Sequence, residues 1–245
     1  MEVVLTIAGS DSSAGAGIQQ DLKTITALGC YGATVITSLT SQNTLGVQSA
    51  MTVPPAVVAS QMSAVLTDLE PAAIKIGMLP DKAVAEAIVQ VLTDYLQEHT
   101  VPLVYDPVMI SSSGYMLMQP DTIDYVTQNL FPLCTLITPN LPEADKLGKV
   151  ISRYAYLLKG GHAEGTMMTD VLYLPDGTKH EFSTAKILSS NLHGTGCTLS
   201  SAIASYLALG CSLPEAVQKA KQFITAAIRR STNAHIGHGH GPLLV

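Results

Sequence analysis

The 245-residue chain has few charged residues and lacks the features that mark several classes of protein. Charged residues make up 13% of the sequence against 47% hydrophobic ones, which excludes an intrinsically disordered chain. No apolar run reaches the roughly 18 residues that a membrane span needs, because Gly, Ser, Asp or Lys interrupts each one. The composition therefore predicts a protein with a large core and no membrane partner.

Signals for export, structural metal and nucleic-acid binding are missing as well. No signal peptide is recognised at the start, and the four cysteines form no C-x-x-C pair, which together predict reduced thiols in a cytoplasmic protein. Histidines 235, 238 and 240 have glycine neighbours and no carboxylate nearby, so they predict adventitious metal affinity rather than a built site. The net charge is −6 without a clustered Lys/Arg run, which favours a small-molecule partner over nucleic acid.

Short apolar runs alternate with helix-length segments, a pattern typical of a parallel sheet covered on both faces by helices. Pro175-Asp176-Gly177 predicts a hairpin that adds an antiparallel edge. No repeat or linker is found, so residues 1–245 are expected to form one domain, an α/β three-layer sandwich. Strands are predicted over residues 3–8, 32–38, 73–77, 103–106, 135–138 and 155–159, and helices over 19–28, 55–69, 82–98, 121–130, 198–209 and 213–230.

The segment Asn191-Leu192-His193-Gly194-Thr195-Gly196-Cys197 precedes a helical run and carries the strongest functional signal. Glycines around Thr195 leave bare backbone N–H groups at a helix N-terminus, where the dipole favours an anion. Gly194, Thr195 and Gly196 are therefore candidates for a phosphate-binding anion hole. The same field is expected to lower the pKa of the Cys197 thiol and so to activate it as a base. A tight turn, with Cys197 as a buried small side chain, is the alternative.

Polar residues collect after the later strands, where ligands bind in open α/β sheets. Asp106 follows the fourth strand, and Asn140 and Glu143 follow the fifth. Asp106 and Glu143 are candidate ligands of Mg²⁺, which takes one or two carboxylates plus substrate phosphates. Asn140 and Glu143 also suit a capping box, a role compatible with the first. Lys159 adds a cation after the sixth strand, which completes the parts of a phosphoryl-transfer site.

Loops after the first three strands predict the other half of the pocket. Gly9 and Asp11 lie in a glycine-rich loop that lacks a dinucleotide or P-loop fingerprint. Gln42 stands in a run of amides and hydroxyls that can read the donors and acceptors of a heterocycle. Met78 is placed to face an aromatic ring. Flexible or solvated loops, and a core position for Met78, are the alternatives.

The sequence resembles the hydroxymethylpyrimidine and phosphomethylpyrimidine kinases of thiamine biosynthesis, within the ribokinase-like superfamily, over nearly its whole length. The resemblance rests on seven motifs in the family's order: Gly9-Ser10-Asp11-Ser12-Ser13, Gln42-Asn43-Thr44-Leu45-Gly46-Val47, Lys75-Ile76-Gly77-Met78, Asp106-Pro107-Val108-Met109, Thr138-Pro139-Asn140-Leu141-Pro142-Glu143-Ala144, Lys159-Gly160-Gly161-His162 and His193-Gly194-Thr195-Gly196-Cys197. It implies a ribokinase-like fold and ATP-dependent phosphorylation of 4-amino-5-hydroxymethyl-2-methylpyrimidine and of its monophosphate.

The resemblance also implies a role for each site residue. Gln42, the loop from Gly9 to Asp11, and Met78 would hold the pyrimidine ring. The nucleotide and its Mg²⁺ would be served by Asp106, Thr138, Asn140, Glu143 and Lys159. Gly194 to Cys197 would form the anion hole, with Cys197 where sugar kinases of the superfamily carry an aspartate base. Related enzymes form homodimers, so a homodimer is the expected assembly.

Two departures from the family pattern stand out. Ser112 occupies the place of a flap lysine, so we expect the second phosphorylation to be slower than the first. Only eighteen residues separate Asn140 from Lys159, which means that either an outer helix is lost or a segment is absent from the sequence. The alternative functions are a pyridoxal or pyridoxine kinase and a non-catalytic vitamin-precursor binding protein. A binding protein need not keep Asp106, Glu143, Lys159 and Cys197 together.

Overall fold

The structure is a computed structural model, and it describes residues 1–111, 114–160 and 165–245. The strands in the described residues are β1 (Val3–Asp11), β2 (Tyr31–Asn43), β3 (Gly46–Thr52), β4 (Ala73–Ile76), β5 (Leu103–Tyr105), β6 (Leu136–Ile137), β7 (Tyr156–Leu158), β8 (Met167–Tyr173) and β9 (Lys179–Ala185). They form one sheet of order β3-β2-β1-β4-β5-β6-β7-β8-β9. The strands from β2 to β7 in that order are parallel, whereas β3, β8 and β9 pair antiparallel.

Helices cover both faces of the sheet. They are α1 (Gly17–Ala27), α2 (Pro55–Leu69), α3 (Lys82–Tyr95), α4 (Pro120–Asn129), α5 (Leu141–Leu147), α6 (Thr195–Ala208) and α7 (Leu213–Ser231). Leu5 and Ile7 of β1 belong to the core under α2, α3 and α4, whereas Val4 belongs to the core under α1, α6 and α7. Alternate residues of a strand therefore pack into two separate cores, one on each face of the sheet. The predicted three-layer α/β sandwich is confirmed.

Local sequence chemistry explains where the helices begin. Prolines stand in the first turns of α2, α4 and α7, where the missing N–H costs nothing. Asp81 precedes α3, and its side chain accepts a hydrogen bond from the Val84 N–H at 2.9 Å. The predicted helix starts consequently lie within three residues of the observed ones.

The sheet has a second antiparallel edge that the sequence did not predict. β2 continues to Asn43, whose side chain accepts from the Leu45 N–H at 2.9 Å, and the chain turns there into β3. The polar run around Gln42 was interpreted as a loop, and β3 shows no apolar alternation because most of its residues are exposed. Gln42 therefore lies on a strand rather than in a loop.

The short connection between Asn140 and Lys159 is closed by secondary structure. α5 is followed directly by a 3-10 helix (Gly148–Arg153), after which Tyr156 begins β7. Eighteen residues are thus enough to return the chain to a parallel strand, which favours the loss of an outer helix over an absent segment.

No helix in the described ranges is long and apolar enough to span a bilayer.

Candidate active site

A cavity of about 690 Å³ lies at the carboxyl ends of the parallel strands. Every predicted site residue except Thr138 lines it: Gly9, Asp11, Gln42, Met78, Asp106, Asn140, Glu143, Lys159, Gly194, Thr195, Gly196 and Cys197. Residues that are distant in the sequence are thereby brought together, as the strand-end rule predicts. Thr138 is fully buried beside the cavity.

The N-terminus of α6 faces the cavity with bare backbone. Gly194 precedes the helix with a φ of 87°, and a Cβ there would lie 2.0 Å from the Gly15 carbonyl oxygen. A Cβ on Gly196 would lie 3.2 Å from Asp106 Oδ2 and 3.6 Å from Lys159 Nζ. Only glycine fits the first position, and at the second a side chain would enter the space between the helix and the charged groups. This geometry suits an anion next to α6.

Asp106 and Lys159 form an ion pair on the opposite side of that space. Lys159 Nζ donates to Asp106 Oδ1 at 2.7 Å, and Thr138 Oγ1 donates to the same oxygen at 3.2 Å. Lys159 Nζ lies 4.0 Å from Glu143 Oε2. Burial lowers the pKa of Lys159, but the two carboxylates outweigh it and leave that pKa raised. The lysine is therefore a permanent cation at neutral pH.

Asn140 and Glu143 form the capping box of α5. Asn140 Oδ1 accepts from the Glu143 N–H at 2.9 Å, and Glu143 Oε2 accepts from the Asn140 N–H at 2.8 Å. Burial raises the pKa of Glu143, Lys159 lowers it, and the charge of Asp106 raises it further. The net result is a raised pKa, because the loss of solvent together with the Asp106 charge outweighs the Lys159 ammonium.

The two carboxylates fit a Mg²⁺ ion by their chemistry. They approach one ammonium from two strand ends, and Mg²⁺ ordinarily takes only one or two carboxylates beside waters and phosphate oxygens. No larger cluster competes for a metal, since the described part of the chain holds no group of three or more His, Cys, Asp or Glu side chains suited to one. The C-terminal histidines accordingly form no such group.

Met78 and Gly9 meet in the wall of the cavity. Met78 is 8% exposed, and a Cβ on Gly9 would lie 2.6 Å from its Cε atom. Gln42 Nε2 is 3.1 Å from His193 Nε2. These side chains leave one apolar and one polar wall, which suits a small heterocycle.

Asp11 is buried, and both oxygens of its carboxylate accept hydrogen bonds from protein groups. Oδ1 accepts from the N–H and the hydroxyl of Ser13 at 2.8 and 2.7 Å, and Oδ2 accepts from the Gly15 and Ala16 N–H groups at 3.1 and 2.9 Å. His193 Nε2 lies 2.9 Å from Oδ2. Burial raises the pKa of Asp11, but these hydrogen bonds outweigh it and the pKa is lowered. Asp11 thus orders the loop before α1, and its predicted contact with substrate stays a prediction.

The segment from His238 to Leu243, here called the C-terminal strap, contacts both the turn after β2 and His193, a residue that lines the cavity. The His240 N–H donates to the Thr44 carbonyl at 2.9 Å, at the turn between β2 and β3. The His193 N–H donates to the Gly241 carbonyl at 3.2 Å, and the Leu243 N–H donates to the His193 carbonyl at 3.0 Å. The strap therefore ties the turn that carries Gln42 to the residue just before the anion hole.

Cys197 departs from one expectation. Burial raises the pKa of its thiol, and although Lys75 lowers it, the result is a pKa of about 11. The expected lowering by the helix N-terminus is therefore wrong, because loss of solvent outweighs the favourable field. The thiol therefore carries its proton at neutral pH. Its role as a base stays a prediction.

The comparison with known sequences decides the family. A family model for phosphomethylpyrimidine kinase matches residues 11–244. The chain belongs to the phosphomethylpyrimidine kinase family. The similarity to a hydroxymethylpyrimidine/phosphomethylpyrimidine kinase of Rhizobium meliloti is 42% identity over 98% of this chain and 96% of the relative. A thiamine biosynthesis bifunctional protein of Geobacter sulfurreducens is 46% identical over 98% of this chain, and the chain spans about half (51%) of its length.

Solved structures place the chain among kinases of this family and its neighbours. A phosphomethylpyrimidine kinase of Clostridium difficile is 40% identical, with a TM-score of 0.80 over 93% of this chain and 100% of that one. A pyridoxal kinase of Staphylococcus aureus in complex with AMP-PCP is 31% identical, with a TM-score of 0.86 over 99% of this chain and 93% of that one. The ribokinase-like fold implied by the resemblance is thereby confirmed.

Sequence reasoning missed the roles of two residues in this site, Lys75 and His193. Lys75 appeared only as part of a motif, although a lysine inside the apolar strand Ala73–Ile76 signals a buried charge that needs a partner. His193 was quoted without a role, and its partner Asp11 is 182 residues away. The flap position Ser112 and the motif residues Gly161 and His162 lie outside the described residues.

Proposed function

We propose that this chain transfers the γ-phosphoryl group of ATP to the hydroxymethyl oxygen of 4-amino-5-hydroxymethyl-2-methylpyrimidine, and then to the monophosphate, in thiamine biosynthesis. In the first step an O–P bond forms at the hydroxymethyl oxygen, and the bond from the γ-phosphorus to the β–γ bridging oxygen breaks. ADP leaves, and the hydroxyl proton passes to a base. The names of relatives that cover nearly the whole chain support this assignment.

The observation that carries the proposal is the closeness of the α6 N-terminus to the Asp106–Lys159 pair. A Cβ added to Gly196 would lie within 3.6 Å of both charged groups, so one group of phosphoryl size at this place meets N–H donors on one side and a cation on the other. Phosphoryl transfer depends mainly on such positioning and charge neutralisation.

In this proposal, one set of residues binds the phosphoryl group and Mg²⁺, and another set binds the pyrimidine ring. Lys159 and the N–H groups of Gly194 and Gly196 would hold the γ-phosphoryl oxygens, whereas the Thr195 N–H donates to the Leu192 carbonyl at 3.2 Å; Asp106 and Glu143 would hold Mg²⁺. The ion, when bound, neutralises charge on the transferred phosphoryl group. Gln42 and Met78 would orient the ring, and Cys197 would accept the hydroxyl proton. Thr138 Oγ1 donates to the Asp106 carboxylate and the Asn140 backbone N–H donates to the Glu143 carboxylate.

A substrate panel tests the proposal. The protein is given ATP and Mg²⁺ with the hydroxymethylpyrimidine, its monophosphate, pyridoxal or pyridoxine, and ADP release is followed with and without a chelator. We expect chelator-sensitive release with the pyrimidine alcohol. Asp106→Ala and Glu143→Ala should each lower kcat far more than they weaken pyrimidine binding, whereas the exposed Asp68→Ala at the end of α2 should change neither. Full activity of the Asp106/Glu143 double variant would refute the assignment.

Pyridoxal is the second candidate substrate, because the fold matches the Staphylococcus aureus pyridoxal kinase with a TM-score of 0.86. The same panel ranks the two. A higher kcat/KM for pyridoxal than for either pyrimidine would make pyridoxal phosphorylation the main activity.

We further propose a cytoplasmic homodimer built from residues 1–245 as one domain. β3 is a sheet edge with unpaired backbone groups, and it exposes apolar side chains together with its turn, including Leu45 at 68% and Met51 at 60%. A long apolar edge strand invites pairing, so covering it with a second copy removes an aggregation risk. The four free cysteines suit a reducing compartment.

A further inference from the structure

A fully buried lysine lies at the floor of the cavity. Lys75 is in β4, and its neighbours Ile74 and Ile76 belong to the core under α2 and α3. Because strand residues alternate between faces, Lys75 points to the other side, where α1 and α6 pack. A buried ammonium is costly unless it is paired, so its surroundings require an explanation.

Asp21 of α1 holds this ammonium in a network of four elements. Asp21 Oδ2 accepts from Lys75 Nζ at 2.7 Å and from Thr6 Oγ1 of β1 at 2.6 Å. Asp21 Oδ1 accepts from Ser201 Oγ of α6 at 2.7 Å. Ser201 follows Cys197 by four residues, so the two share one face of α6. The network therefore underlies the turn that carries Cys197.

The ammonium keeps donor capacity toward the cavity. An ammonium donates up to three hydrogen bonds, and Asp21 is the acceptor found for it in the described part of the chain. Lys75 and Cys197 line the same cavity. A Cβ on Gly77 would lie 2.8 Å from Lys75 Nζ, so the glycine leaves the space that the ammonium occupies.

Four charged groups act on Cys197, each from a different element. Lys75 faces it from β4, Asp21 from α1, Asp106 from the end of β5 and Lys159 from the end of β7. Burial raises the pKa of the thiol most, Lys75 is the main opposing influence, and Asp21 and Asp106 raise the pKa further. Removing the Lys75 charge would leave Lys159 as the one cation of this set, beside two carboxylates and buried surface.

We propose that Lys75 is a positioning residue: its ammonium, held by Asp21, stabilises the Cys197 thiolate, the form of the side chain that accepts the proton of the substrate hydroxyl. The proton moves from the hydroxyl oxygen to the thiolate Sγ, which becomes a neutral thiol. The oxygen electron pair forms the new O–P bond as the bond from the γ-phosphorus to the β–γ bridging oxygen breaks and ADP leaves. The inference rests on the proposed function for this reaction. A purely structural ion pair would hold the fold together without affecting the thiol.

The first test measures the thiol without any substrate. Wild type and Lys75→Met are treated with iodoacetamide from pH 7 to pH 9, and alkylation of the Cys197 peptide is timed by mass spectrometry. We expect alkylation of Cys197 to slow by about tenfold or more, since each pKa unit is a factor of ten in thiolate. Cys211, beyond the far end of α6, reports reagent activity in the same digest and should react unchanged.

A second buried ion pair supplies the matched control. Lys221 Nζ lies 2.8 Å from Asp170 Oδ2, with both side chains under 10% exposed, and Lys221 is not among the main influences on the Cys197 pKa. Lys221→Met should leave Cys197 alkylation unchanged. Equal slowing in both variants, or an unchanged rate in folded Lys75→Met, would overturn the inference.

Kinetics and folding complete the design. Lys75→Met should lower kcat at pH 7 by about tenfold or more while each KM changes by about twofold or less, because substrate contacts are kept. If this variant fails to fold, Lys75→Met with Asp21→Asn removes both charges, and slower Cys197 alkylation is still expected because Lys75 outweighs Asp21. Wild type that phosphorylates no pyrimidine would refute the proposed function alone, since alkylation needs no turnover.

Discussion

At the scale of single residues, Cys197 shows how burial and a helix dipole compete. The thiol stands in the first turn of α6, yet its pKa of about 11 exceeds that of a free cysteine. Below this pKa the thiolate fraction rises about tenfold per pH unit. If the thiolate accepts the substrate proton, kcat should rise steadily with pH between 7 and 9.5. A pH-independent kcat would show that Cys197 is not the base, and the turn would then contribute to catalysis through its backbone N–H groups alone.

Replacing the thiol tests the same role directly. Cys197→Ala should lower kcat by roughly two to four orders of magnitude, the usual worth of a positioned acid or base, and should abolish the pH dependence. ATP and pyrimidine affinities, measured by calorimetry, should stay within a few-fold. Cys197→Asp should restore part of the rate, and Cys211→Ala serves as the control. Wild-type kcat in Cys197→Ala would contradict the assignment.

Gln42 should act on binding rather than on rate. A buried heterocycle that loses a paired donor or acceptor forfeits about 1–3 kcal/mol, so Gln42→Ala should weaken pyrimidine binding and leave ATP binding unchanged. Titration calorimetry measures both. Gln90→Ala, on the exposed face of α3, controls for a generic effect of amide loss. Unchanged ring affinity would place the pyrimidine elsewhere in the cavity.

At the scale of elements, the space next to the N-terminus of α6 is open because Gly196 has no side chain. Gly196 is inside the helix without a left-handed φ, so alanine there brings no backbone strain. Its Cβ would instead lie 3.2 Å from Asp106 Oδ2, where the phosphoryl group is proposed to bind. Gly196→Ala should therefore keep its melting temperature and lose at least tenfold in kcat/KM for ATP. Unimpaired ATP turnover in the folded variant would show that the anion binds away from α6.

The elements also show what a sequence can and cannot reveal. The inner strands are buried on both faces and read as apolar runs, so β1, β4 and β5 were placed within a few residues. β3 was missed because its mostly exposed residues lack any apolar period. The rule that ligands bind at the carboxyl ends of parallel strands placed the predicted residues around one cavity, but the burial depth of each residue is a property of the whole fold. The pKa direction of Cys197 and the Asp11–His193 contact were therefore out of reach.

At the scale of the whole molecule, the β3 edge is the proposed contact between two copies. Light scattering should give twice the 25.7 kDa mass of one chain. Met51→Lys places a charge on the exposed edge and should shift the mass toward one chain, while Leu188→Lys, equally apolar and 81% exposed away from the sheet strands, should not. A monomeric wild type at micromolar concentration would refute the dimer.

The C-terminal strap has a consequence for how the enzyme comes into being. Residues up to Cys197 supply both carboxylates, the lysine and the helix N-terminus, whereas residues 238–243 supply backbone hydrogen bonds to Thr44 and to His193. A chain growing from its N-terminus therefore contains all the proposed catalytic groups before the strap is synthesised. We expect a chain that ends before His238 to lack the contacts that join the turn after β2 to His193, and so to bind the pyrimidine less tightly than the full chain.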